Sequence, residues 1–274
     1  MSGLKRVKIG LALSSGAARG WAHVGVLAVL ERENIPVDMI AGTSSGAIIA
    51  AFYARWQSAT QIKELASTVD RKKVASLTDL TLPRTGFFEG RKIKDWLKSL
   101  IGDAEFADLQ IPFACVATDI QTGEEVVIKE GSVVEALRAS FSVPGILSIV
   151  KWRGKYLVDG ALVNPVPVNV LKDMGADFVI AVNVIPSMSD RIHRIDKESV
   201  DDLSGPNIFS IIMRAFHISS YQAVGTSLNG ADVIIKPQVM HIGFGDMHRA
   251  LECISLGEMA AQASIGEIKE QLGI

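Results

Sequence analysis

The chain alternates short, uninterrupted apolar runs with segments of helical periodicity from its beginning onward. Residues 7–13 read VKIGLAL and are followed by a helical pattern over residues 21–32. A second apolar run at residues 35–41 is followed by a helical stretch at residues 46–53. Apolar runs without polar alternation are typical of strands buried on both faces of a parallel sheet. The pattern therefore predicts an α/β fold with three α/β/α layers, in which helices cover both faces of a mostly parallel central sheet.

Further elements follow the same alternation. The sequence predicts helices and strands at residues 59–69, 91–101, 113–118, 125–129, 132–140, 155–158 and 177–184. Residues 80–90 predict a loop, because Pro and Gly punctuate them, and residues 187–207 predict a flexible polar loop. Apolar segments resume after residue 207, so this loop does not read as a domain linker. We therefore expect a single domain over residues 1–274.

Composition limits the classes of function. Hydrophobic residues make up 48% of the chain and charged residues 21%, which a buried parallel sheet explains. The net charge is −2 and no long basic tract occurs, so we expect no nucleic-acid partner. No stretch approaches the roughly 18 uninterrupted apolar residues of a spanning helix. If the protein contacts a membrane, we therefore expect peripheral contact.

Cysteine usage and the N-terminus indicate a cytoplasmic protein. Cys115 and Cys253 are too few and too far apart for a disulfide framework or a zinc site, so reduced thiols and no metal are expected. The N-terminus resembles a secretion signal in its basic start, apolar stretch and small residues. Lys8 within the apolar run, with Arg19 and His23 soon after it, favours a buried first strand instead.

A serine turn, GTSSGA, lies between the second predicted strand and its helix. It holds a G-x-S-x-G pattern centred on Ser44, with Gly42 and Gly46 at its ends; centring the pattern on Ser45 removes both glycines. Such glycines permit the sharp turn that presents a nucleophile at its apex, near the N–H groups of the following helix. The alternative is that a serine only caps the helix. We identify Ser44 as the candidate nucleophile and expect Ser45 to begin the helix.

A glycine-containing loop, SSGAARG at residues 14–20, joins the first strand to the first helix. Ester hydrolysis needs N–H donors for the oxyanion, and this loop would place its amides at the same sheet edge as Ser44. A phosphate-binding loop would end in Gly-Lys-Ser/Thr, whereas this one ends in Arg-Gly-Trp. A dinucleotide fingerprint needs three glycines, and here only Gly16 and Gly20 are available. Nucleotide binding is therefore the weaker interpretation.

A nucleophilic serine also needs a proton acceptor. None of the histidines stands in a context typical of a catalytic triad; they are His23, His193, His217, His241 and His248. A carboxylate can replace imidazole where burial raises its pKa. Asp159 ends an apolar strand in KYLVDGALVNPVPV, and Gly160 leaves room for a neighbouring backbone or substrate. Taken alone, this fragment favours an Asp that stabilises its own turn, with a general base as the alternative.

Together these segments resemble the patatin-like phospholipase family, specifically its compact bacterial members. SSGAARGWAHVGVL resembles the family's oxyanion loop and first helix, and GTSSGA resembles its nucleophile elbow. ALRASFSVPGIL resembles its Arg-Ala-Ser…Pro segment, and VDGALVNPVPV its Asp-Gly-Ala/Gly motif. The resemblance covers residues 6–185 well and the remainder more loosely. Each motif is weak alone, but four in the right order are specific.

The resemblance implies a Ser–Asp dyad without histidine, in which Ser44 is the nucleophile and Asp159 the general base. It also implies an oxyanion hole formed by the backbone amides of Gly16 and Ala17. The implied substrates are acyl esters of glycerolipids, with no cofactor and with peripheral contact at the inner face of the membrane as an open possibility.

The oxyanion loop departs from the family's usual pattern. Arg19 and Gly20 match its basic-Gly ending, but Ser15 and Ala17 replace the first and third of its glycines. If the position of Ala17 requires a positive φ, alanine is strained there. A weakened donor would cost on the order of 10²-fold in rate.

Residues 207–222 are apolar around most of a helical circumference. The favoured interpretation is a buried helix or a subunit contact; the alternative is a lid or an acyl-chain wall, together with Phe87 and Phe88. Two functions stay open: a serine acyl hydrolase acting on lipids, or a lipid-binding or regulatory module with weak esterase activity. The sequence gives no head group, chain length or oligomeric state.

Overall fold

The computed structural model describes residues 6–79, 85–186 and 208–274. The predicted loop at 187–207 lies outside the described residues, and the single domain stays a prediction. The strands are β1 (Ile9–Leu13), β2 (Met39–Thr43), β3 (Gly86–Phe88), β4 (Phe113–Asp119), β5 (Glu125–Ile128), β6 (Gly145–Leu147), β7 (Val150–Trp152), β8 (Lys155–Asp159), β9 (Phe178–Val182) and β10 (Val233–Ile235). The helices are α1 (Ala22–Arg32), α2 (Ser45–Trp56), α3 (Ala59–Ser67), α4 (Arg71–Ser76), α5 (Arg91–Ile101), α6 (Val133–Ser140), α7 (Val168–Asp173), α8 (Ile208–Ser227) and α9 (Ala250–Leu272).

Within the described ranges, eight strands form one sheet in the order β10-β9-β1-β2-β4-β8-β7, with β5 also paired to β4. The strands from β10 to β4 run parallel to one another. β5, β7 and β8 pair antiparallel with their neighbours. The prediction of a mostly parallel central sheet is confirmed.

The sheet is buried on both faces, as its apolar runs predict. Successive residues of a strand point to opposite faces: Leu11 and Leu13 belong to a large core cluster with residues of α1, α2 and α9. Ala12 belongs to a second cluster with residues of α7. Helices therefore cover both faces of the sheet, which confirms the layered arrangement.

The start of β2 and the loop at residues 80–90 differ from the prediction. β2 begins at Met39 rather than at Ile35, because the N–H of Ile35 still donates to the Leu30 carbonyl at the end of α1. Residues 80–90 are not all loop, because they include β3, which pairs in parallel with β6. Among the described helices, none combines the length and the hydropathy needed to cross a bilayer.

Candidate active site

Ser44 lies at the sharp turn between β2 and α2. Its φ of 55° and ψ of −121° lie outside the ordinary regions for a non-glycine residue, a conformation that costs on the order of 1–3 kcal/mol unless its surroundings hold it. The Ser44 N–H donates to Ser140 Oγ at 3.0 Å, and the Ser140 hydroxyl donates to the Val116 carbonyl at 2.6 Å. Hydrogen bonds from α6 and β4 thus hold the strained turn.

The glycines of this turn permit close contact between backbones. A Cβ on Gly46 would lie 2.3 Å from the Leu13 carbonyl oxygen of β1, and one on Gly42 would lie 2.5 Å from the Ala47 nitrogen. Neither position therefore accepts a side chain without movement of the backbone. Ser45 is the first residue of α2, as predicted.

The register of β4 brings Asp159 to Ser44. Thr43, the last residue of β2, pairs with Val116, and Asp159, the last residue of β8, pairs with the next residue, Ala117. Ser44 Oγ donates to Asp159 Oδ2 at 2.7 Å. The two candidate dyad residues, 115 positions apart in sequence, are therefore in direct contact.

Asp159 is fully buried and oriented by its own turn. Its Oδ1 accepts the Ala161 N–H at 2.9 Å, and its N–H donates to the Ser142 carbonyl at 2.8 Å. Burial raises the pKa of this carboxyl to about 7, although the hydrogen bonds from Ala161 and Ser44 act to lower it. A carboxylate with such a pKa can accept a proton near neutral pH.

The loop after β1 reaches the same cleft as Ser44. Ser15, Gly16 and Ala17 line this cleft together with the serine. Within the described residues, the N–H groups of Gly16 and Ala17 have no hydrogen-bond acceptor, whereas the next N–H, of Ala18, donates to the Phe244 carbonyl. The loop thus offers two unpaired donors beside the serine.

Ala17 has a φ of +50°. This is the left-handed region, in which a side chain with a β-carbon is strained. The sequence predicted strain at Ala17 if its φ is positive, and the φ is positive.

Arg19, Gly20 and His23 support the loop. The Arg19 Nε–H donates to the Ile242 carbonyl at 2.8 Å, and the His23 Nε2–H donates to the Ser14 carbonyl at 2.8 Å. Burial lowers the pKa of His23 to about 4, so its imidazole is neutral at physiological pH. A Cβ on Gly20 would lie 2.6 Å from Ser45 Oγ, so this loop packs directly on the start of α2.

Of the other described histidines, His217 lines the cleft, whereas His241 and His248 do not. His241 pairs with Glu252 at the surface, and His248 contacts Arg71. His217 of α8 lines the cleft and packs edge-on against Phe244, with ring centroids 4.9 Å apart. His193 lies outside the described residues.

The far wall of the cleft comes from α8, which contributes Phe216, His217, Ser220 and Tyr221. From the sequence, residues 207–222 were interpreted as a buried helix or a subunit contact, with a lid or an acyl-chain wall as the alternative, and none of these polar side chains was assigned to the cleft. Their helical spacing could have placed them on one face. Within the described chain, the lining of the cleft includes neither Phe87 nor Phe88.

Across the described ranges, no three His, Cys, Asp or Glu side chains group as a metal ion requires. Cys115 and Cys253 are buried free thiols. At Gly160, a Cβ would lie 2.3 Å from the Val116 carbonyl oxygen, so the backbone of β4 occupies the room that this glycine leaves.

The family described as patatin-like phospholipase matches residues 11–172 of the chain, more than half of its length. The chain belongs to the patatin-like phospholipase family. The matched segment includes the end of β1, the serine turn and Asp159.

Relatives of this family member include much longer proteins. An uncharacterised NTE family protein of Mycobacterium tuberculosis is 31% identical over 65% of the chain and 49% of its own length. Human patatin-like phospholipase domain-containing protein 6 is 36% identical over 64% of the chain and 13% of its own. Lysophospholipase NTE1 of Meyerozyma guilliermondii is 29% identical over 94% of the chain and 19% of its own length. The chain thus spans about half of the first protein and less than a fifth of the other two.

A solved structure supports the fold. VipD from Legionella pneumophila superposes with a TM-score of 0.64 at 12% identity, covering 94% of this chain and 66% of VipD. At this identity the likeness concerns the fold alone.

Proposed function

We propose that this patatin-like phospholipase family member is a serine acyl hydrolase that cleaves carboxylic esters of lipids. The 2.7 Å hydrogen bond from Ser44 Oγ to the buried carboxylate of Asp159 carries the proposal. It joins a strained, glycine-flanked serine to a group whose pKa of about 7 suits a general base.

In the proposed reaction, Ser44 Oγ attacks the acyl carbonyl carbon while Asp159 accepts the hydroxyl proton. The carbonyl oxygen becomes an oxyanion, to which the N–H groups of Gly16 and Ala17 donate. Asp159 then returns the proton to the departing alcohol, and an acyl-enzyme remains. Water deprotonated by the same carboxylate hydrolyses this ester and restores Ser44.

The proposed substrate class is a phospholipid, a lysophospholipid or a related lipid ester. The family and the name lysophospholipase of the Meyerozyma relative support this class. The aromatic side chains of Phe216 and Phe244 in the cleft wall suit an acyl chain.

The test is hydrolysis of a soluble p-nitrophenyl ester by purified variants with unchanged circular dichroism. We expect Ser44→Ala and Asp159→Asn each to abolish turnover. His217→Ala, in the same cleft, is the control and should retain most of the wild-type kcat. Full activity in Asp159→Asn would exclude the dyad, and loss of activity only in His217→Ala would indicate a histidine base.

A second candidate is a lipid-binding or regulatory module with weak residual esterase activity. The strained Ala17 in the candidate oxyanion loop favours it, because a displaced donor stabilises the oxyanion less. A fluorophosphonate probe distinguishes the two functions. Stoichiometric labelling that is lost in Ser44→Ala supports the hydrolase, whereas lipid binding without labelling supports the module.

A further inference from the structure

Helix α8 has an apolar face on its outer side as well as toward the cleft. Met213 and Phe216 are buried on the inner side. Ile208, Ile211 and Ile218 are 63%, 48% and 43% exposed. Together with exposed Ala215, these isoleucines are spaced by three, four and three residues, so they share one face. We call this set the outer face of α8.

The outer face lacks the charges that normally keep a surface helix in water. The helix reads IFSIIMRAFHISSYQAVGTS, with no Asp or Glu and with Arg214 as its one Lys or Arg. A contiguous exposed apolar surface of this kind marks a contact site for another molecule or a membrane. The inner side of α8 lines the cleft beside Ser44. A molecule that covers the outer face of α8 therefore lies close to the candidate active site.

Two routes of contact join α8 to helices α4 and α5. On one side, Ile212 packs over β6, where a Cβ on Gly145 would lie 3.1 Å from its Cδ1. β6 pairs with β3, and α5 begins three residues after β3 ends. On the other side, His217 packs against Phe244. Shortly after Phe244, the 3-10 turn Met247–Arg249 places His248 Nε2 3.3 Å from Arg71 Nη2 of α4.

Helices α4 and α5 are strongly basic. They read RKKVAS and RKIKDWLKSLI, which gives seven Lys or Arg against one Asp in a chain of net charge −2. Both helices carry cations in their first turn, where the helix dipole disfavours positive charge. The stability of the helices therefore does not explain these residues.

Several of these cations contact neutral groups instead of carboxylates. Lys92 Nζ donates to the Thr78 carbonyl at 3.1 Å, and Lys73 lies 5.9 Å from the centre of the Trp96 ring. The other three cations form ion pairs, Arg91 with Glu89, Lys94 with Glu135 and Lys98 with Asp103. Across the described ranges, no carboxylate pairs with Arg71, Lys72, Lys73 or Lys92. Their charge remains available to an anionic surface.

We propose that the outer face of α8, flanked by the four cations of α4 and α5 that pair with no described carboxylate, docks the protein on an anionic lipid surface with the cleft opening toward the bilayer. Isoleucines would enter the interface while Lys and Arg contact anionic headgroups. A second copy fits this surface less well, because a twofold contact would bring two sets of cations together. The proposal rests in part on the proposed function, which places a lipid ester in the cleft.

The test is cosedimentation of the Ser44→Ala protein with vesicles, so that hydrolysis does not disturb the lipid. We expect binding to equimolar phosphatidylglycerol and phosphatidylcholine vesicles, weaker binding to phosphatidylcholine alone, and weakening by added salt. Ile211→Glu and Ile218→Glu should each reduce partitioning about tenfold or more. Met259→Glu is the matched control, because it also replaces an exposed apolar side chain of a helix, α9, by a carboxylate. This variant should bind the vesicles as the unchanged protein does.

The charge arm compares two exposed lysines. Lys72→Glu should weaken binding to the anionic vesicles, and Lys129→Glu, directly after β5 and outside α4 and α5, should not. Unchanged vesicle binding by both isoleucine variants would overturn the proposal. A dimer that Ile211→Glu converts to a monomer with unchanged vesicle binding would overturn it too, because the outer face would then be a subunit interface.

Failure of this proposal is separable from failure of the proposed function. The isoleucine variants are also made with Ser44 intact and assayed on a soluble p-nitrophenyl ester, whose hydrolysis they should leave unchanged. Protein that hydrolyses this ester but does not bind vesicles refutes the docking alone. Protein that binds vesicles in the expected pattern but hydrolyses no ester refutes the hydrolase and leaves the docking in place.

Discussion

At Asp159, burial and hydrogen bonding act on one carboxyl group in opposite directions. Burial is the larger effect and raises its pKa to about 7. Only the ionised carboxylate can accept the Ser44 proton, so activity should be full above this pH and be lost as the pH falls through it. We expect kcat/KM to fall about tenfold per pH unit below about 7.

Initial rates on a neutral p-nitrophenyl ester, measured from about pH 5 to pH 9, check this profile. The same profile in His217→Ala is the control, because His217 lies in the cleft. A kcat/KM that stays level from about pH 7 down to about pH 5, as a carboxyl with the ordinary Asp pKa of about 3.9 would give, would contradict the effect of burial. An inflection that moves in His217→Ala would assign the titration to the histidine.

The backbone of Ala17 is strained at its φ angle. At its φ of +50°, a β-carbon costs on the order of 1 kcal/mol that glycine avoids. Ala17→Gly should therefore raise the free energy of unfolding by up to about 1 kcal/mol and keep or increase kcat, since the N–H remains. Chemical denaturation and ester turnover measure the two effects.

The control for this change is Ala18→Gly. Ala18 is buried and is not among the residues of positive φ. Glycine should destabilise the protein there, because it adds conformational freedom to the unfolded chain and removes a buried methyl group. Equal destabilisation in both variants would show that Ala17 is not strained.

The positions of Ser44 and Asp159 could be predicted because their signals are local. Glycine spacing indicated the serine. The end of an apolar strand drew attention to the aspartate but by itself favoured a turn residue, and the resemblance to the family is what implied a general base. The partner of the Ser44 N–H, Ser140, could not be predicted in this way, because its contact depends on how α6 packs on β4. The same holds for His217, whose place in the cleft depends on α8.

Among the elements, α6 connects the serine turn to the sheet through Ser140. Ser140→Ala leaves the Ser44 N–H without its acceptor and the Val116 carbonyl without its donor. We expect a loss of about 1–3 kcal/mol in the free energy of unfolding. Because the turn is strained, kcat should fall as well.

Ser264→Ala is the control for Ser140→Ala. Its hydroxyl donates only to the Ala260 carbonyl within the same helix, α9, and its loss should change stability by no more than about 0.5 kcal/mol. Denaturation curves and ester turnover for both variants check the expectation. Equal stability of the two variants would mean that Ser140 does not hold the turn.

The long elements could be predicted and the short ones could not. The helix at Arg91–Ile101 has the bounds that its periodicity gives. β3, β6 and β7 span three residues each, too few to show a period, and they exist only through their partners. The antiparallel pairing of β8 with β4 was not predicted either, although it is what brings Asp159 to Ser44.

At the scale of the molecule, the last helix supports the first loop. α9 crosses α1 closely: a Cβ on Gly257 would lie 1.9 Å from the Ala22 carbonyl oxygen. Ala22 directly follows the turn at Ala17–Trp21 that closes the candidate oxyanion loop. The family match ends at residue 172, so this support comes from a part of the chain outside the matched segment.

This crossing gives a prediction with an internal control. Alanine favours a helix over glycine by about 0.5–1 kcal/mol, and both Gly257 and Gly266 lie within α9. Gly266→Ala should stabilise the protein by that amount, since among the described residues nothing lies within 4 Å of its new Cβ. Gly257→Ala should instead lose about 1–3 kcal/mol, because the backbone of α1 must move away.

If α9 positions the loop, Gly257→Ala should also lower kcat on a soluble ester at temperatures where the protein remains folded, whereas Gly266→Ala should not. Thermal unfolding and ester turnover, measured on the same preparations, separate these effects. Similar gains in stability for both variants would show that the helices do not cross this closely. A stability loss in Gly257→Ala with unchanged kcat would confine the role of α9 to the core.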